Sequence, residues 1–586
     1  MNTKITRPLF AALLFSSSLF AQTEDLPRYA TELEQRVDPA PLLPIGITTP
    51  PTLPVRTMAE WEELQALTIT WNGQTTILAE IVRAARQECN VVICCENQTV
   101  VSQAKTKLTS SGVDFSSNVT FLVAPNNSIW VRDYGPNCVY ANDVDSLYFV
   151  DWIYNRTSRP KDDTIATAIA PYFGVPLYST SAAPTDLVNT GGNFMSDGMG
   201  TAFASRLILN ENELGNPYGV TTKTEPQINS IFSDFMGIDR YIKMTPLPYD
   251  VIHHIDMHMK LIDEETLMVG QYPAGVADGP QIEANIQYVL SNYQSSFGTP
   301  YKIVRIPMPP EGGQYPNTSG DYRTYANAVF VNKTVILPFY QQQYDTTAKR
   351  IWQEALPGYK VVGIDCNSII PSLGAIHCIT KEVGVYDPLL IVHQELECQD
   401  NSLVFGGYPI HAIIQHRSGI FGAKIFYTTD LSGSWQSADM WQGIIVNDDW
   451  FGSIPTQAAG STVYYYIEGT AVNGKIFARP ITAPDGYWKF CVTQSSATTT
   501  PLAELLEIYP NPAAAITVIP VKSSSKTLGS ILVYNSLGQM VQEIFNGEIP
   551  SGNTNYFLDA GTLVPGTYFV KLQTGGQVRM KKLVVR

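Results

Sequence analysis

Positive charge is scarce in this chain: 38 Lys and Arg stand against 53 Asp and Glu, a formal net charge of −15 and a pI of about 5.0. That balance argues against nucleic acid or an anionic membrane surface as a partner, and it fits either a cationic substrate or plain solubility. Cysteine is scarce as well. The eight present, Cys89, Cys94, Cys95, Cys138, Cys366, Cys378, Cys398 and Cys491, are too few for a disulfide scaffold in 586 residues, and none falls in a CxxC zinc pattern. The pair expected to be bridged is Cys398 with Cys491, which bracket one β-rich stretch, whereas Cys94 and Cys95 lie in an apolar run that reads as a buried strand. After the amino terminus no stretch of about 20 apolar residues occurs, so no mature transmembrane span is expected. No EF-hand loop of the Asp-x-Asp-x-Asp-Gly kind is found, so nothing points to calcium control.

What is present divides the chain. Lys4 and Arg7, the apolar run 9–20 and a small-residue end at Ala21 read as a secretory signal, 1–21. Residues 22–57 form a leader whose Pro-rich part, 39–54, sustains neither helix nor central strand. From 58 to 393, strand-like runs at 67–71, 91–95 and 329–337 alternate with helical patterns at 75–86 and 281–292, an α/β organisation. Residues 394–492 carry short β runs between Gly, Asn, Ser and Asp, the pattern of a small antiparallel sandwich. A polar linker follows at 493–504, and 505–586 is a second all-β module.

The chemistry gathers in five segments of the α/β region. Cys378 follows a small-residue approach, Ser372-Leu-Gly-Ala-Ile-His-Cys378. A lone cysteine is usually a buried, inert hydrophobe. Upstream stand Trp130-Val-Arg-Asp133-Tyr-Gly-Pro136, Thr190-Gly-Gly-Asn193, His253-His254-Ile-Asp256-Met-His258 and Tyr325-Ala-Asn327, so that similar modules would each deliver one strand end to a common centre. A thiol needs a base or a positive neighbour, and His254 suits this because it could also protonate a leaving amine. His377, adjacent to Cys378, would turn away on a strand, while His254, Asp256 and His258 would share a face. Asp133 and Asp256 would suit a guanidinium, each accepting parallel N–H bonds. Other readings of the same residues are a local Arg132–Asp133 ion pair, a metal site of His254, Asp256 and His258, and a tight backbone approach at Gly191-Gly192. They leave open a metal-dependent amidohydrolase or a non-enzymatic surface adhesin built on the β modules.

Taken in order, Trp-x-Arg-Asp-x-Gly-Pro at 130–136, Gly-Gly-Asn at 191–193, His-x-Asp at 254–256, Asn327 and Gly-x-Ile-His-Cys-Ile-Thr at 374–380 resemble the guanidine-modifying deiminase superfamily, in its agmatine deiminase and bacterial peptidylarginine deiminase branch. The resemblance implies a five-bladed α/β-propeller (pentein) catalytic domain followed by two small all-β sandwiches, with no metal and no cofactor. It implies that Cys378 is the nucleophile, His254 the general acid/base, Asp133 and Asp256 the guanidinium-binding carboxylates and Asn327 an amide beside the thiol. The product would be a ureido group, formed through a covalent thiouronium. Thr190 stands where agmatine deiminases resemble one another in carrying Glu. The segment Asp151-Trp-Ile-Tyr-Asn-Arg156-Thr-Ser-Arg159 resembles the part of the peptidylarginine enzyme whose two arginines bind the carboxylate of a C-terminal arginine, with two residues between them here instead of one. Trp130, Arg156 and Arg159 are therefore the expected substrate-binding residues. The text around Trp130 and Cys378 is closer to agmatine deiminases, so the alternative is an agmatine deiminase giving N-carbamoylputrescine. Residues 394–492 resemble an immunoglobulin-like domain, and 505–586 look like the C-terminal sorting domain of Bacteroidetes type IX secretion. The expectation is a protein-arginine deiminase that prefers C-terminal arginine and is exported through the periplasm to the medium or cell surface. Its partners would be arginine-bearing peptides or proteins and the type IX machinery.

Overall fold

Runs of β-branched residues set the frame. Val91-Val-Ile-Cys-Cys95 is buried along its length in strand Asn90–Cys95, flanked on both sides by parallel strands, Leu64–Thr70 and Val119–Val123. A strand covered on both faces needs no polar alternation, which is why it reads as a continuous apolar run. Helix Thr75–Ala85 connects the first two of these strands and buries Ile77, Leu78, Ile81, Val82 and Ala85, the stripe expected of a helix covering a sheet. A computed structural model describes residues 25–36, 45–401, 406–443, 448–494, 503–536, 539–574 and 577–586. The expected signal peptide, part of the leader and most of the expected linker lie outside the described residues.

Between residues 55 and 384 the same unit occurs five times, as five small sheets. In each, an antiparallel pair is extended by a parallel strand that the chain reaches through a helix, as with Thr266–Gln271, helix Gly279–Asn292 and Lys302–Pro307. The other crossover helices are Ile165–Phe173, Glu225–Met236 and Gln342–Ala355. The last strand, Lys381–Gly384, pairs antiparallel with Leu64–Thr70, so the end of this region is stitched to its beginning. Beyond it, strands from Leu390–Val392 to Trp488–Thr493 form a mainly antiparallel assembly with its own apolar core, including Ile391, Tyr408, Ile414, Ile425, Val463 and Ile467. Cys398 and Cys491 are disulfide-bonded there, as expected from their placement. Strands from Ala503–Leu505 to Gln577–Val585 form two further sheets around Ile519, Val521, Ile531, Val570 and Leu583. No helix among the described residues is long and apolar enough to cross a membrane.

Three edges differ from the sequence reading. The leader was expected to run to residue 57, yet Ile47 bridges to Tyr178, and Val55–Thr57 pairs with Asn137–Ala141 because the Pro-rich part ends at Pro54 and leaves Val55-Arg-Thr57 free to join a sheet edge. The run 329–337 is a hairpin of Val329–Val331 and Thr334–Phe339, turned at Asn332 with φ 49°. Leu390–Val392, expected within the catalytic region, pairs with Tyr408–Gln415 of the following β assembly.

Candidate active site

Each of the five motif segments lies immediately before the first strand of one antiparallel pair. Asp133, in the short helix Val131–Tyr134, precedes Asn137–Ala141; the turn Gly191–Asn193 precedes Met195–Ser196; Ile255–Met257 precedes Met259–Leu261; Asn327 precedes Val329–Val331; and His377–Ile379 precedes Lys381–Gly384. Equivalent connections of five similar units therefore converge, and Asp133, His254, Asp256, Asn327 and Cys378 meet in one buried cluster.

At the middle of that cluster is a guanidinium supplied by the chain itself. Arg28, from the leader, is completely buried; its Nε and Nη2 donate to the two oxygens of Asp133 at 3.0 and 2.8 Å. Its Nη1 and Nη2 donate to the two oxygens of Asp256 at 3.1 and 3.2 Å, and Nη1 lies 2.6 Å from Cys378 Sγ. The two carboxylates thus grip one planar cation in bidentate fashion, with the thiol at its edge. The alternative local pairing of Arg132 with Asp133 does not occur: Arg132 instead pairs with Glu382 at 2.5 and 2.8 Å and bonds the carbonyl of His377.

Gly191 and Gly192 make the room. A Cβ on Gly192 would lie 1.6 Å from Arg28 Nη2 and 2.7 Å from His254 Nδ1, so these two nitrogens border the same small space. A Cβ on Gly191 would lie 1.9 Å from the carbonyl oxygen of Arg132. The close backbone approach read from the glycine pair is real, and it serves the guanidinium pocket. Gly192 also donates its N–H to Asp133 at 3.1 Å. His254 bonds Thr190 Oγ1 through Nε2 at 2.9 Å, which leaves Nδ1, 3.6 Å from Asp133, facing the Arg28 head.

Electrostatics follow from burial around one cation. Burial alone would raise both carboxyls; the Arg28 charge overrides it and holds Asp133 and Asp256 below the ordinary range. Burial takes His254 down to about 3, with the Arg28 charge acting in the same direction, so its imidazole is neutral while that cation is in place. The Cys378 thiol is pushed up by burial; Arg28 pulls it down, and the two carboxylates add to the rise.

Around this centre lies a buried polar network. Asn327 Nδ2 donates to Cys378 Sγ at 3.2 Å and to the Asp256 carbonyl at 3.1 Å, while its Oδ1 accepts from the His377 N–H at 3.1 Å. His377 does not turn away from the site as expected. Residues 377–379 form a 3₁₀ turn, where strand alternation does not apply, and its ring bridges Asp256 at 2.8 Å and Glu60 at 2.9 Å. Lys260 closes the chain on Glu60 at 2.5 Å. For the same reason His254, Asp256 and His258 do not share one face: 255–257 is also a 3₁₀ turn, His254 and Asp256 both meet the Arg28 head, and neither ring nitrogen of His258 has a hydrogen-bond partner among the described residues. Among the described residues no group of three or more His, Cys, Asp or Glu is arranged to hold a metal ion.

Trp130, Arg156 and Arg159 all contact the leader. Trp130 Nε1 donates to the Leu26 carbonyl at 2.8 Å, Arg156 Nε to the Arg28 carbonyl at 3.0 Å and Arg159 Nη2 to the Tyr29 carbonyl at 3.1 Å. Arg159 is also paired with Glu34 at 2.6 Å, and the Arg28 N–H donates to the Ser372 carbonyl at 3.0 Å. Arg28, Glu60, Thr190 as the partner of His254, and the role of His377 were not found by reading the sequence. Arg28 lies in a stretch without periodicity; the others are meetings of segments far apart in the chain.

The Arg132–Glu382 pair ties the Asp133 segment to the Cys378 segment and gives a stability test. Glu382→Ala leaves a buried guanidinium unpaired and should lower unfolding stability by about 3–5 kcal/mol, read as a drop in the denaturant midpoint. A midpoint within error of the parent would show that the pair does not hold these segments.

The chain is similar to known proteins over the region that carries this cluster. Relatives that bear the name agmatine deiminase include one from Shewanella sp. strain W3-18-1, 26% identical over 357 residues, covering 56% of this chain and 93% of its own. Another, from Yersinia pestis, is 27% identical over 303 residues, covering 46% of this chain and 77% of its own. The solved agmatine deiminase of Enterococcus faecalis shares the fold at TM-score 0.50 and 21% identity, over 58% of this chain and 98% of that one. Residues 507–586 match the secretion-system C-terminal sorting domain, the address of a chain exported by type IX secretion, either secreted or held at the cell surface. Residues 56–383, more than half of the chain, match the family model of the Porphyromonas-type peptidyl-arginine deiminase, and the chain belongs to that family of arginine and agmatine deiminases.

Proposed function

We propose that this chain is a secreted, cysteine-dependent peptidyl-arginine deiminase that converts arginine within a peptide to citrulline and releases ammonia. The observation that carries the reading is Arg28 itself, a peptide-borne arginine whose guanidinium is gripped by Asp133 and Asp256 against Cys378 and whose own carbonyl is bonded by Arg156. The sequence suggested a preference for C-terminal arginine, with Arg156 and Arg159 on a carboxylate. The leader supports a different emphasis: both arginines bond peptide carbonyls, and the main chain continues on either side of Arg28, so internal arginine is accommodated.

In this reading Cys378 Sγ adds to the guanidinium carbon and its proton passes to His254. His254 returns the proton to the nitrogen in the Nη2 position, and the C–N bond breaks to free ammonia. Water then adds to the thiouronium carbon with His254 as base, the C–S bond breaks, and the thiol is restored. Asp133 and Asp256 hold the carbon in place, and Asn327 orients the thiol. Thr190, where agmatine deiminases have Glu, contacts His254 and not the ligand. The five sheets would be the blades of a propeller whose axis runs through this cluster. We take the catalytic domain, the immunoglobulin-like sandwich and the sorting domain as its three folded parts.

The test is ammonia release by the purified chain from a peptide with internal arginine, a peptide ending in arginine, and agmatine. Peptides should be turned over with the higher kcat/KM; faster turnover of agmatine would overturn the reading. Arg156→Ala should lower kcat/KM for peptidyl arginine by about 10- to 100-fold, the worth of a charged hydrogen bond. It should leave agmatine, which has no carbonyl there, nearly unchanged. Equal losses on both would remove Arg156 from peptide recognition.

A further inference from the structure

The leader does more than lie near the site; it is bound as a ligand would be. Four main-chain atoms, the carbonyls of Leu26, Arg28 and Tyr29 and the N–H of Arg28, are bonded by Trp130, Arg156, Arg159 and Ser372 respectively. Leader side chains add anchors on both sides: Glu34 reaches Arg159 and Ser158, and Gln74 donates to Asp25 at 3.3 Å. The Arg28 head is fully buried, its Nη1 is against Cys378, and its Nη2 shares the Gly192 space with His254. No other guanidinium fits while Arg28 is there, because the oxygens of Asp133 and Asp256 are already engaged by it.

We propose that Arg28 is the first substrate of this enzyme, deiminated in cis, and that this single turnover opens the site to arginine on other proteins. The inference rests on the deiminase reading above. Cys378 Sγ adds to Arg28 Cζ, the Cζ–Nη2 bond breaks, and Nη2 leaves as ammonia with the proton carried by His254. A water oxygen then adds to Cζ, the Cζ–S bond breaks, and the thiol is regenerated. One water is consumed, one ammonia is released, and position 28 becomes citrulline, with no oxidant or reductant needed. The product is neutral, so Asp133 and Asp256 lose the charge that compensates their burial, and unpaired buried carboxylates expel the ureido head in favour of water or a new cation. The grip that closes the site before turnover thereby becomes the force that opens it afterwards.

The test follows the full chain after purification in three ways: peptide mapping of residue 28, the rate of its conversion at two protein concentrations, and the time course of ammonia release from a peptide with internal arginine. Citrulline should appear at position 28 before other arginines of the chain, at a rate unchanged by a tenfold dilution. Peptide turnover should begin after a lag of the same duration. Arg28→Gln, which carries a neutral amide in place of the cation, should turn over the peptide at the full rate from the start. Arg28 remaining arginine while Arg28→Gln is active overturns self-deimination but leaves the deiminase reading intact. Conversion that slows in proportion to dilution overturns the in-cis step. Silence of Arg28→Gln toward every guanidine overturns both.

Discussion

Cys378→Ala should abolish ammonia release from peptidyl arginine, with kcat falling by about 10⁵-fold or more, the scale seen when a covalent nucleophile is removed from a site whose other parts remain. The thiol contacts the bound guanidinium directly and is held by Asn327. It is the group in the cluster able to form a bond to carbon while both carboxylates are occupied in holding the cation. Alanine deletes that group and leaves the grip, so Cys378→Ala should retain the leader and resemble, in near-ultraviolet circular dichroism, the parent before its Arg28 is converted. A residual rate within about tenfold of the parent would show that water, and not sulfur, attacks the carbon.

Gly192→Ala should be nearly as damaging, through exclusion instead of chemistry. One methyl group at this position would lie 1.6 Å from the Nη2 of a bound guanidinium and 2.7 Å from His254. The backbone of Gly192 is not left-handed, so alanine brings no conformational strain of its own and the effect is confined to the pocket. The guanidinium must shift by an ångström or more away from the thiol, and displacements of that size lower rates by about 100-fold or more. The expected result is a collapse of kcat/KM on every guanidine, together with exposure of the leader to proteases. An unchanged KM for the peptide would mean that the substrate head does not enter where Arg28 sits.

Much of the fold was legible because apolar runs such as Val91–Cys95 and the helical stripe Ile77, Leu78, Ile81, Val82 and Ala85 carry their own period. The cluster was legible because five polar segments interrupt those runs just before a strand. What failed, failed for local reasons. His377 was misplaced because a strand was assumed where a 3₁₀ turn exists, and His258 was set on the face of His254 and Asp256 for the same reason. Arg132 was offered its neighbour as a partner, yet its charge is met by Glu382, 250 residues away, and no adjacency in sequence reports that. Arg28 was invisible because Leu26-Pro-Arg-Tyr29 has no periodicity, and its partners are defined only once five loops have converged.

The bonds to the leader beside Arg28 go to atoms that every residue possesses. The carbonyls of Leu26, Arg28 and Tyr29 and the amide of Arg28 are engaged, whereas among the described residues the side chains of Leu26, Pro27 and Tyr29 make no hydrogen bond to the pocket. A site that grips a peptide this way reads one side chain and ignores its immediate neighbours, leaving only the more distant acidic anchors, Asp25 on Gln74 and Glu34 on Arg159, to weigh the flanking sequence. A peptide library randomised at the positions immediately beside a fixed arginine should return a nearly flat preference. In the proposed reaction, selection among proteins then falls to which arginines sit on segments loose enough to reach the buried cluster.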